Sequence, residues 1–353
     1  MQHNDKLNRA KNAKNDEFYT RYADIEAEVN AYVEHDPHVF ENKTILCPCD
    51  DPDRSNFTKY FINNFERFGL RKLISTCCQQ NEHGKLVVMT RDGKFTGCLE
   101  GDGDFRSAEV TALRDEADII ITNPPFSLFR EFLAWIMAGK KQFVIIGNIN
   151  AITYKEVFPL LKANEIWLGA PFPKHGGWFD TPTGLKHLQN CRWFTNLPYE
   201  RQCEKLHLHT MAWNLKHNKK LRKKLLGKDG TCEYLHYVNC DAIDVPFTEC
   251  IPSDFAGLMG VPITFLDRYN PEQFEMLGRG RDMDLPTKTG MPAEFLNDYF
   301  AQGGTGSMRP GHPDLCYYDA DGKAVVPYRR IMLRHKRRST PIPDGSVSLA
   351  PTT

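Results

Sequence analysis

The stretch Asp118-Ile119-Ile120-Ile121-Thr122-Asn123-Pro124-Pro125-Phe126 joins an apolar run to a turn that contains two prolines. Three consecutive isoleucines are typical of a strand that is buried on both faces of a sheet. The prolines end the strand because they fix φ and carry no main-chain donor. Apolar residues then recur at helical spacing through Met137, so we expect a helix that begins near Ser127 as its N-cap.

Short apolar strands and helices alternate on both sides of this stretch. Further strands are expected at Ile45–Cys47, Leu73–Ser75 and Phe143–Ile146, a helix at 55–68 and a hairpin at 85–99. Such alternation predicts an α/β fold with a doubly wound, mostly parallel sheet. The alternation stops near residue 200. We therefore expect one domain over residues 1–200 and a smaller region over 201–353 that ends in a loose tail.

The tetrapeptide Asn123-Pro124-Pro125-Phe126 lies where ligands bind in open α/β sheets, beyond the carboxyl end of a strand. Its amide and carbonyl oxygens accept hydrogen bonds. The exocyclic N6 amine of adenine is a poor nucleophile because its lone pair is delocalised into the ring. Acceptance of both N–H groups, by the Asn123 side chain and the Pro124 carbonyl, would localise that lone pair, and Phe126 would stack on an extruded base.

An alternative interpretation is that the tetrapeptide is only a rigid turn that closes a strand. Its place between a buried strand and a helix favours the catalytic interpretation. The tetrapeptide resembles the catalytic motif of amino-methyltransferases that act on adenine, and also of some that act on glutamine side chains or guanine.

The wider chain resembles a narrower group, the EcoRI-type adenine-specific DNA methyltransferases. The resemblance covers most of residues 15–335. It is carried by the following segments: Asn15–Thr20, Cys47–Asp50, Ser55–Phe57, Gly101–Arg106, Thr122–Phe129, Arg192–Asn196, Gly260–Leu266 and Asn270–Glu275. It implies a Rossmann-like methyltransferase sheet, S-adenosylmethionine as the methyl donor and adenine in duplex DNA as the substrate. It implies no metal ion.

The resemblance also implies positions for the cofactor. An N-terminal aromatic-Thr element would pack against its methionine end, and the loop after the first strand would wrap its amino-acid part. An Asp-Phe pair after the third strand would bind its adenine. The residues implied, in that order, are Phe18, Tyr19 and Thr20, then Pro48, Asp50, Ser55 and Asn56, then Asp104 and Phe105.

Two features depart from the usual pattern of cofactor-binding sheets. The first loop has Asp50-Asp51-Pro52-Asp53-Arg54 in place of a glycine-rich turn, and the second strand is not followed by the acid that commonly binds ribose hydroxyls. For Asp50 the alternative role is a helix N-cap or a loop acid, and for Tyr19 it is core packing.

The formal net charge is zero, but the charge is unevenly distributed. Residues 15–53 carry eleven acids and two bases, whereas residues 201–228 carry nine Lys or Arg and one acid. The run 216–224 includes Lys219, Lys220, Lys223 and Lys224, which we expect to contact DNA phosphates. The alternative is a solvated charged face.

The composition excludes several classes of protein. No apolar run is long enough for a membrane span, and the polar N-terminus lacks a secretory signal, so a cytoplasmic location in a bacterial or phage-infected cell is expected. The eleven cysteines are scattered, which suits a reducing compartment. They form no pair of Cys-x-x-Cys knuckles, and His207-x-His209 has no ligand partner nearby in sequence, so no metal site is expected.

Two rival functions remain open at this point. One is an RNA or protein-glutamine amino-methyltransferase that uses the same motif, and the other is a non-catalytic DNA-binding relative. The expected partners are duplex DNA and a cognate restriction endonuclease that acts separately, and a monomer is compatible with the sequence.

Overall fold

The isoleucine run before Asn123 forms a central strand of an eight-stranded sheet. The computed structural model describes residues 19–49, 51–79, 82–172, 176–181, 184–200 and 204–336. The chain divides into two units, Met1–Cys203 and Glu204–Thr353. Phe18, Asp50 and the C-terminal tail lie outside the described residues, so the structure does not address their predicted roles.

The first unit is mixed α/β. Its helices are α1 (Tyr22–His35), α2 (Asn56–Asn63), α3 (Ala108–Glu116), α4 (Phe129–Ala138) and α5 (Phe158–Lys162), with 3₁₀ turns at Phe126–Leu128 and Ile149–Thr153. Its strands are β1 (Tyr19–Thr20), β2 (Thr44–Cys47), β3 (Lys72–Thr76), β4 (Lys85–Thr90), β5 (Gly93–Cys98), β6 (Ile119–Thr122), β7 (Gln142–Asn148), β8 (Trp167–Leu168), β9 (Gly176–Thr181), β10 (Gly184–Gln189) and β11 (Cys191–Thr195).

The large sheet has the strand order β5-β4-β3-β2-β6-β7-β11-β8. The four strands from β3 to β7 in that order are parallel, and the pairs on either side of them are antiparallel. The expected α/β fold is confirmed, but a mostly parallel sheet holds only for its centre. The predicted hairpin, with its short turn at Arg91 and Asp92, is the antiparallel edge on one side.

Helices cover both faces of this sheet, as adjacent residues of β11 demonstrate. The Trp193 ring contacts Phe57 of α2 at 6.1 Å between centroids, and the Phe194 ring contacts Phe129 of α4 at 5.0 Å. Successive side chains of a strand point to opposite faces, so α2 and α4 lie on opposite sides of the sheet. The central strands are therefore buried on both faces.

Two predicted helices differ from the structure at their ends. The helix expected over 55–68 ends at Asn63, where the Asn64 side chain donates to the Tyr60 carbonyl at 2.9 Å. This local bond competes with the next helical turn. The helix expected to begin at Ser127 begins at Phe129, and its N-cap, Leu128, provides no side-chain bond. Predicting Ser127 as the N-cap was wrong.

The second unit contains two further sheets among its described residues. A four-stranded sheet has the order β12-β13-β17-β14, and β15 pairs with β16. The strands are β12 (Ala242–Asp244), β13 (Leu258–Pro262), β14 (Phe274–Arg279), β15 (Tyr317–Tyr318), β16 (Ala324–Val325) and β17 (Arg330–His335). The helices are α6 (Met211–His217), α7 (Lys219–Leu225) and α8 (Ala293–Ala301), with 3₁₀ turns at Thr248–Cys250 and Ile263–Arg268.

Among the helices that the structure describes, none has the length and apolar character needed to cross a membrane.

Helix α1 carries a carboxyl group into the core of the first unit. Glu28 is 1 % exposed, and its carboxyl accepts a hydrogen bond from the Tyr32 hydroxyl. Gly169 lies so close that a Cβ there would be 2.0 Å from Glu28 Oε1. Burial raises the pKa of Glu28 to about 8, against its ordinary value of 4.5. Glu28 is therefore protonated in the folded chain at neutral pH.

Replacement of Glu28 tests this burial through the pH dependence of stability. Between pH 4.5 and 8 the folded state holds a proton that the unfolded state releases, so Glu28 lowers the free energy of unfolding as pH rises through that window. The slope contributed is at most about 1.4 kcal/mol per pH unit. Glu28→Gln should remove it in urea titrations at several pH values, whereas Glu34→Gln, on the exposed side of α1, should not. Parallel curves for Glu28→Gln and wild type would contradict the assignment.

Candidate active site

The candidate site lies at the carboxyl ends of three neighbouring parallel strands. Strand β2 pairs in parallel with β3 on one side and with β6 on the other. The residues that follow these strands, Pro48, Cys77 and Asn123, therefore stand at the same edge of the sheet. In open α/β sheets, ligands bind beyond this edge.

The tetrapeptide at the end of β6 is held in a defined turn. Asn123 is 8 % exposed, Pro124 is buried, and Pro125 and Phe126 are half-buried. The Pro125 carbonyl accepts a hydrogen bond from the Leu128 N–H at 2.9 Å, which starts the 3₁₀ turn and displaces the start of α4. Within the described part of the chain, no hydrogen bond uses the Pro124 carbonyl. Of the two proline carbonyls, Pro124 is the one left to accept from a ligand.

Buried hydroxyl groups mark the same edge. Oγ1 of Thr76, at the end of β3, and Oγ1 of Thr122, at the end of β6, are buried and have no hydrogen-bond partner among the described residues. The same holds for Oγ1 of Thr20 in β1. An unsatisfied buried hydroxyl costs roughly 1–3 kcal/mol, which a polar ligand would offset. This edge therefore fits a ligand rich in polar groups.

The N-terminal strand is joined to this edge through α2. The Asn56 side chain donates to the Thr20 carbonyl at 2.7 Å. Ser55 is fully buried and caps α2, accepting from the Thr58 N–H at 3.3 Å. The structure thus brings together three of the residues predicted to bind a cofactor. Ser55 has a structural role in addition to any contact with a ligand.

The acidic loop after β2 is fixed by a cation that the sequence did not reveal. Lys85 Nζ lies 2.9 Å from Asp51 Oδ2 and 2.7 Å from Asp53 Oδ2. Hydrogen bonds from Lys85 lower the pKa of Asp53, and the two carboxylates raise that of Lys85. Asp51 and Asp53 hold the described part of this loop against β4, in the position that a glycine-rich turn usually takes in cofactor-binding sheets.

The segment Gly101–Phe105 packs its main chain against the end of β3. The Gln79 N–H donates to the Asp102 carbonyl at 2.8 Å. Gly103 has φ +83°, and a Cβ on it would lie 2.2 Å from the Cys77 carbonyl oxygen. Glycine is therefore required at position 103 for both its backbone angle and its close approach.

The side chains of Asp104 and Phe105 have different surroundings. Arg106 binds Asp104 through both carboxylate oxygens, at 2.9 and 2.6 Å, and lowers the pKa of Asp104. Phe105 is 5 % exposed, and its ring packs edge-on against Phe132 at 5.0 Å and Trp135 at 5.6 Å. The Phe105 ring is thus largely covered by side chains of α4. Asp104 is the more accessible member of the pair.

The predicted DNA-contacting lysines lie on α7 of the second unit. Leu221 and Leu225 are the buried residues of this helix. Asn218 caps the helix by accepting a hydrogen bond from the Leu221 N–H at 3.0 Å. Its five cations are exposed, and none forms an ion pair with a carboxylate among the described residues: Lys219, Lys220, Arg222, Lys223 and Lys224. Unneutralised positive charge is therefore concentrated on one short helix.

A second basic run, residues 328–338, carries six Lys or Arg and differs from α7. Arg330 lies 2.8 Å from the buried Asp244, and Arg334 lies 2.7 Å from Glu275. Both guanidinium groups are bound within the second unit. Helix α7 is consequently the stronger candidate for a phosphate-binding surface.

Comparisons with known proteins identify similar chains. Residues 6–96 and 86–336 match the family model described as adenine-specific methyltransferase EcoRI. The type II methyltransferase M.EcoRI of Escherichia coli is 40 % identical over an alignment of 314 residues, and the match covers 79 % of this chain and 90 % of that protein. M.MpnI of Mycoplasma pneumoniae is 35 % identical over 77 % of this chain and 84 % of its own length. M.MgeORF184P of Mycoplasma genitalium is 37 % identical over 77 % and 85 %. No solved structure matches significantly.

A pair of glycine substitutions tests the packing of the segment Gly101–Phe105 against β3. Gly103→Ala should lower the free energy of unfolding by about 1–3 kcal/mol because it strains the backbone and meets the Cys77 carbonyl. Gly101→Ala is the matched control, since the nearest atom to its Cβ is 3.6 Å away. Urea unfolding of both variants measures the difference. Equal stability of the two would show that the loop does not pack on β3.

Proposed function

Since the chain belongs to the EcoRI family of adenine-specific methyltransferases and is a site-specific DNA methyltransferase, we propose that it methylates adenine N6 by base flipping. The methyl donor would be S-adenosylmethionine. The observation that carries the proposal is the position of Asn123 and Pro124 at the carboxyl end of β6. The relatives are named type II methyltransferases, which favours DNA over the RNA or protein substrates that the motif alone left open.

The arrangement of the first unit supports a Rossmann-like methyltransferase fold. Four parallel strands lie at the centre of the sheet, and helices cover both faces. In sheets of this kind the ligand binds beyond the carboxyl ends of the strands. The residues proposed for catalysis and for the cofactor come from that edge and from segments bonded to it.

The proposed cofactor site fits the chemistry of S-adenosylmethionine, whose sulfonium supplies an electrophilic methyl group when it is bound. The buried hydroxyls of Thr20 and Thr76 would form hydrogen bonds with its polar groups. The Asp104 carboxylate, held in place by Arg106, would accept a hydrogen bond from an amine. The remaining contacts proposed with the cofactor are those of Phe18, Tyr19, Pro48, Asp50, Ser55, Asn56 and Phe105.

The proposed catalytic step depends on two hydrogen-bond acceptors. The side-chain oxygen of Asn123 would accept one N–H of the target amine, and the Pro124 carbonyl would accept the other. Both residues are buried, so these bonds would form in a medium of low dielectric constant, where they are stronger than in water. The amine lone pair would then point towards the methyl group. No side chain with a perturbed pKa is required.

The two other residues of the tetrapeptide would hold the base. Phe126 is half-buried at the rim of the core, and its ring would stack there on an extruded adenine. Pro125 fixes the turn through its bond with Leu128, which keeps Phe126 beside Asn123. Catalysis would thus depend on orientation more than on acid–base chemistry.

DNA recognition is proposed for the second unit, with α7 as its phosphate-binding element. Cationic side chains that are not neutralised by neighbours release counterions when they bind phosphates, which gives affinity that is independent of sequence. Lys219, Lys220, Lys223 and Lys224 would position the duplex. Base recognition would come from other side chains.

Replacement of Asn123 tests the catalytic proposal. Asn123→Ala should lower turnover by a factor on the order of a hundred or more, because the target amine then has one acceptor fewer. Affinity for S-adenosylmethionine, measured by calorimetry, should remain close to that of wild type. Ser127→Ala is the matched control, since Ser127 is exposed in the same turn. Near-normal turnover by Asn123→Ala would refute the assignment.

Charge removal on α7 tests the proposed binding of phosphates. A double change of Lys219 and Lys220 to Gln should weaken binding to all DNA sequences about equally. The slope of log affinity against log salt should become shallower by about one unit for each phosphate that is no longer neutralised. The control removes two exposed lysines elsewhere, Lys94 and Lys323. An unchanged slope in DNA binding at three salt concentrations would exclude α7 from the DNA surface.

A further inference from the structure

The hairpin of β9 and β10 exposes a face of rings and aliphatic groups. Trp178 pairs in register with His187, and Asp180 pairs with Leu185, so alternation along the strands places these four side chains on one face. Trp178 is 40 % exposed and Leu185 is 57 % exposed. The Trp178 and His187 rings lie 4.8 Å apart. This face is called the outer face of the hairpin below.

The opposite face of the hairpin is anchored in the core. Phe179 is fully buried and lies 6.4 Å from the ring of Phe172, which stacks on Trp193 at 5.2 Å. Phe126 of the catalytic tetrapeptide packs against the same cluster of buried residues. The inner face of the hairpin is therefore packed into the core of the first unit. This packing fixes the strands that carry the exposed side chains.

Strand pairing places the hairpin next to the candidate active site. Strand β9 pairs with β1, and Phe179 is the partner of Thr20. The Thr20 carbonyl accepts from Asn56, which begins the helix after β2. Strand β2 in turn neighbours β6, which ends at Thr122, immediately before Asn123. The hairpin is thus linked through β1 and α2 to the edge of the sheet at which the target base would react.

We propose that the outer face of the hairpin contacts the target duplex beside the extruded adenine, with Leu185 as an apolar wedge and Trp178 as a stacking surface. This inference rests on the proposed function. Extrusion of a base costs unpairing and unstacking energy and leaves a gap in the helix. Apolar side chains inserted between base steps, and indole rings stacked on bases, offset that cost.

The chemistry of the hairpin suits DNA better than a second protein surface. Rings and one branched aliphatic group match the flat apolar faces of bases. The outer face includes one acid, Asp180, and the described residues of the hairpin also carry Lys186 and His187, so the hairpin has no excess of negative charge to repel a polyanion.

The test uses the full-length chain and single substitutions on the outer face. Leu185→Ala and Trp178→Ala should each slow single-turnover methyl transfer on a paired duplex on the order of tenfold. The rate should approach that of wild type when the target adenine faces an abasic site, because extrusion then costs less. Fluorescence of 2-aminopurine at the target position should fall in the same variants. Phe95→Ala is the matched control, since Phe95 is 59 % exposed on β5, at the far edge of the large sheet.

The affinity for S-adenosylmethionine shows whether a variant has lost a DNA contact or has disturbed strand β1. This affinity should be unchanged in Leu185→Ala and Trp178→Ala. The inference is overturned if both variants transfer methyl groups as fast as Phe95→Ala on the paired duplex. It is also overturned if wild type sediments as a dimer that Leu185→Ala dissociates, because the face would then bind a second copy. Failure of the unsubstituted chain to methylate adenine would refute the proposed function itself.

Discussion

The parallel pairing of β2 with β3 and β6 is the constraint on which the candidate site depends. It aligns three carboxyl strand ends, so that Thr76, Pro48 and Asn123 lie at one edge of the sheet. Helices pack on both faces of the sheet that holds these strands, as the contacts of Trp193 with Phe57 and of Phe194 with Phe129 show. The position of Asn123 is therefore set by packing far from the reaction.

The charged residues near the proposed cofactor site and those proposed to bind DNA differ in their surroundings. In the first unit, acids of the loops at the sheet edge are held by single cations, Asp51 and Asp53 by Lys85 and Asp104 by Arg106. These pairs would fix loops around the proposed cofactor. On α7 the cations are left without acidic partners among the described residues, as a polyanion requires.

Local sequence patterns predicted the elements better than their ends and their distant partners. The isoleucine run, the hairpin at 85–99 and the strand at Phe143–Ile146 follow from periodicity, and the structure contains all of them. The pairing of Thr20 with Phe179 and the capture of Asp51 by Lys85 do not, because they join segments far apart in the chain. The resemblance grouped Thr20 with Asn56 correctly in space. It gave no sign that α4 would enclose the Phe105 ring.

The central claim is that Asn123 and Pro124 present two acceptors to the N6 amine of adenine. Nucleoside mass spectrometry and modification-sensitive sequencing of DNA from cells that express the chain test it most directly. N6-methyladenine is expected at one recurring sequence. Methylation of another base, such as N4 of cytosine, or unmodified DNA from cells that contain folded protein, would contradict it.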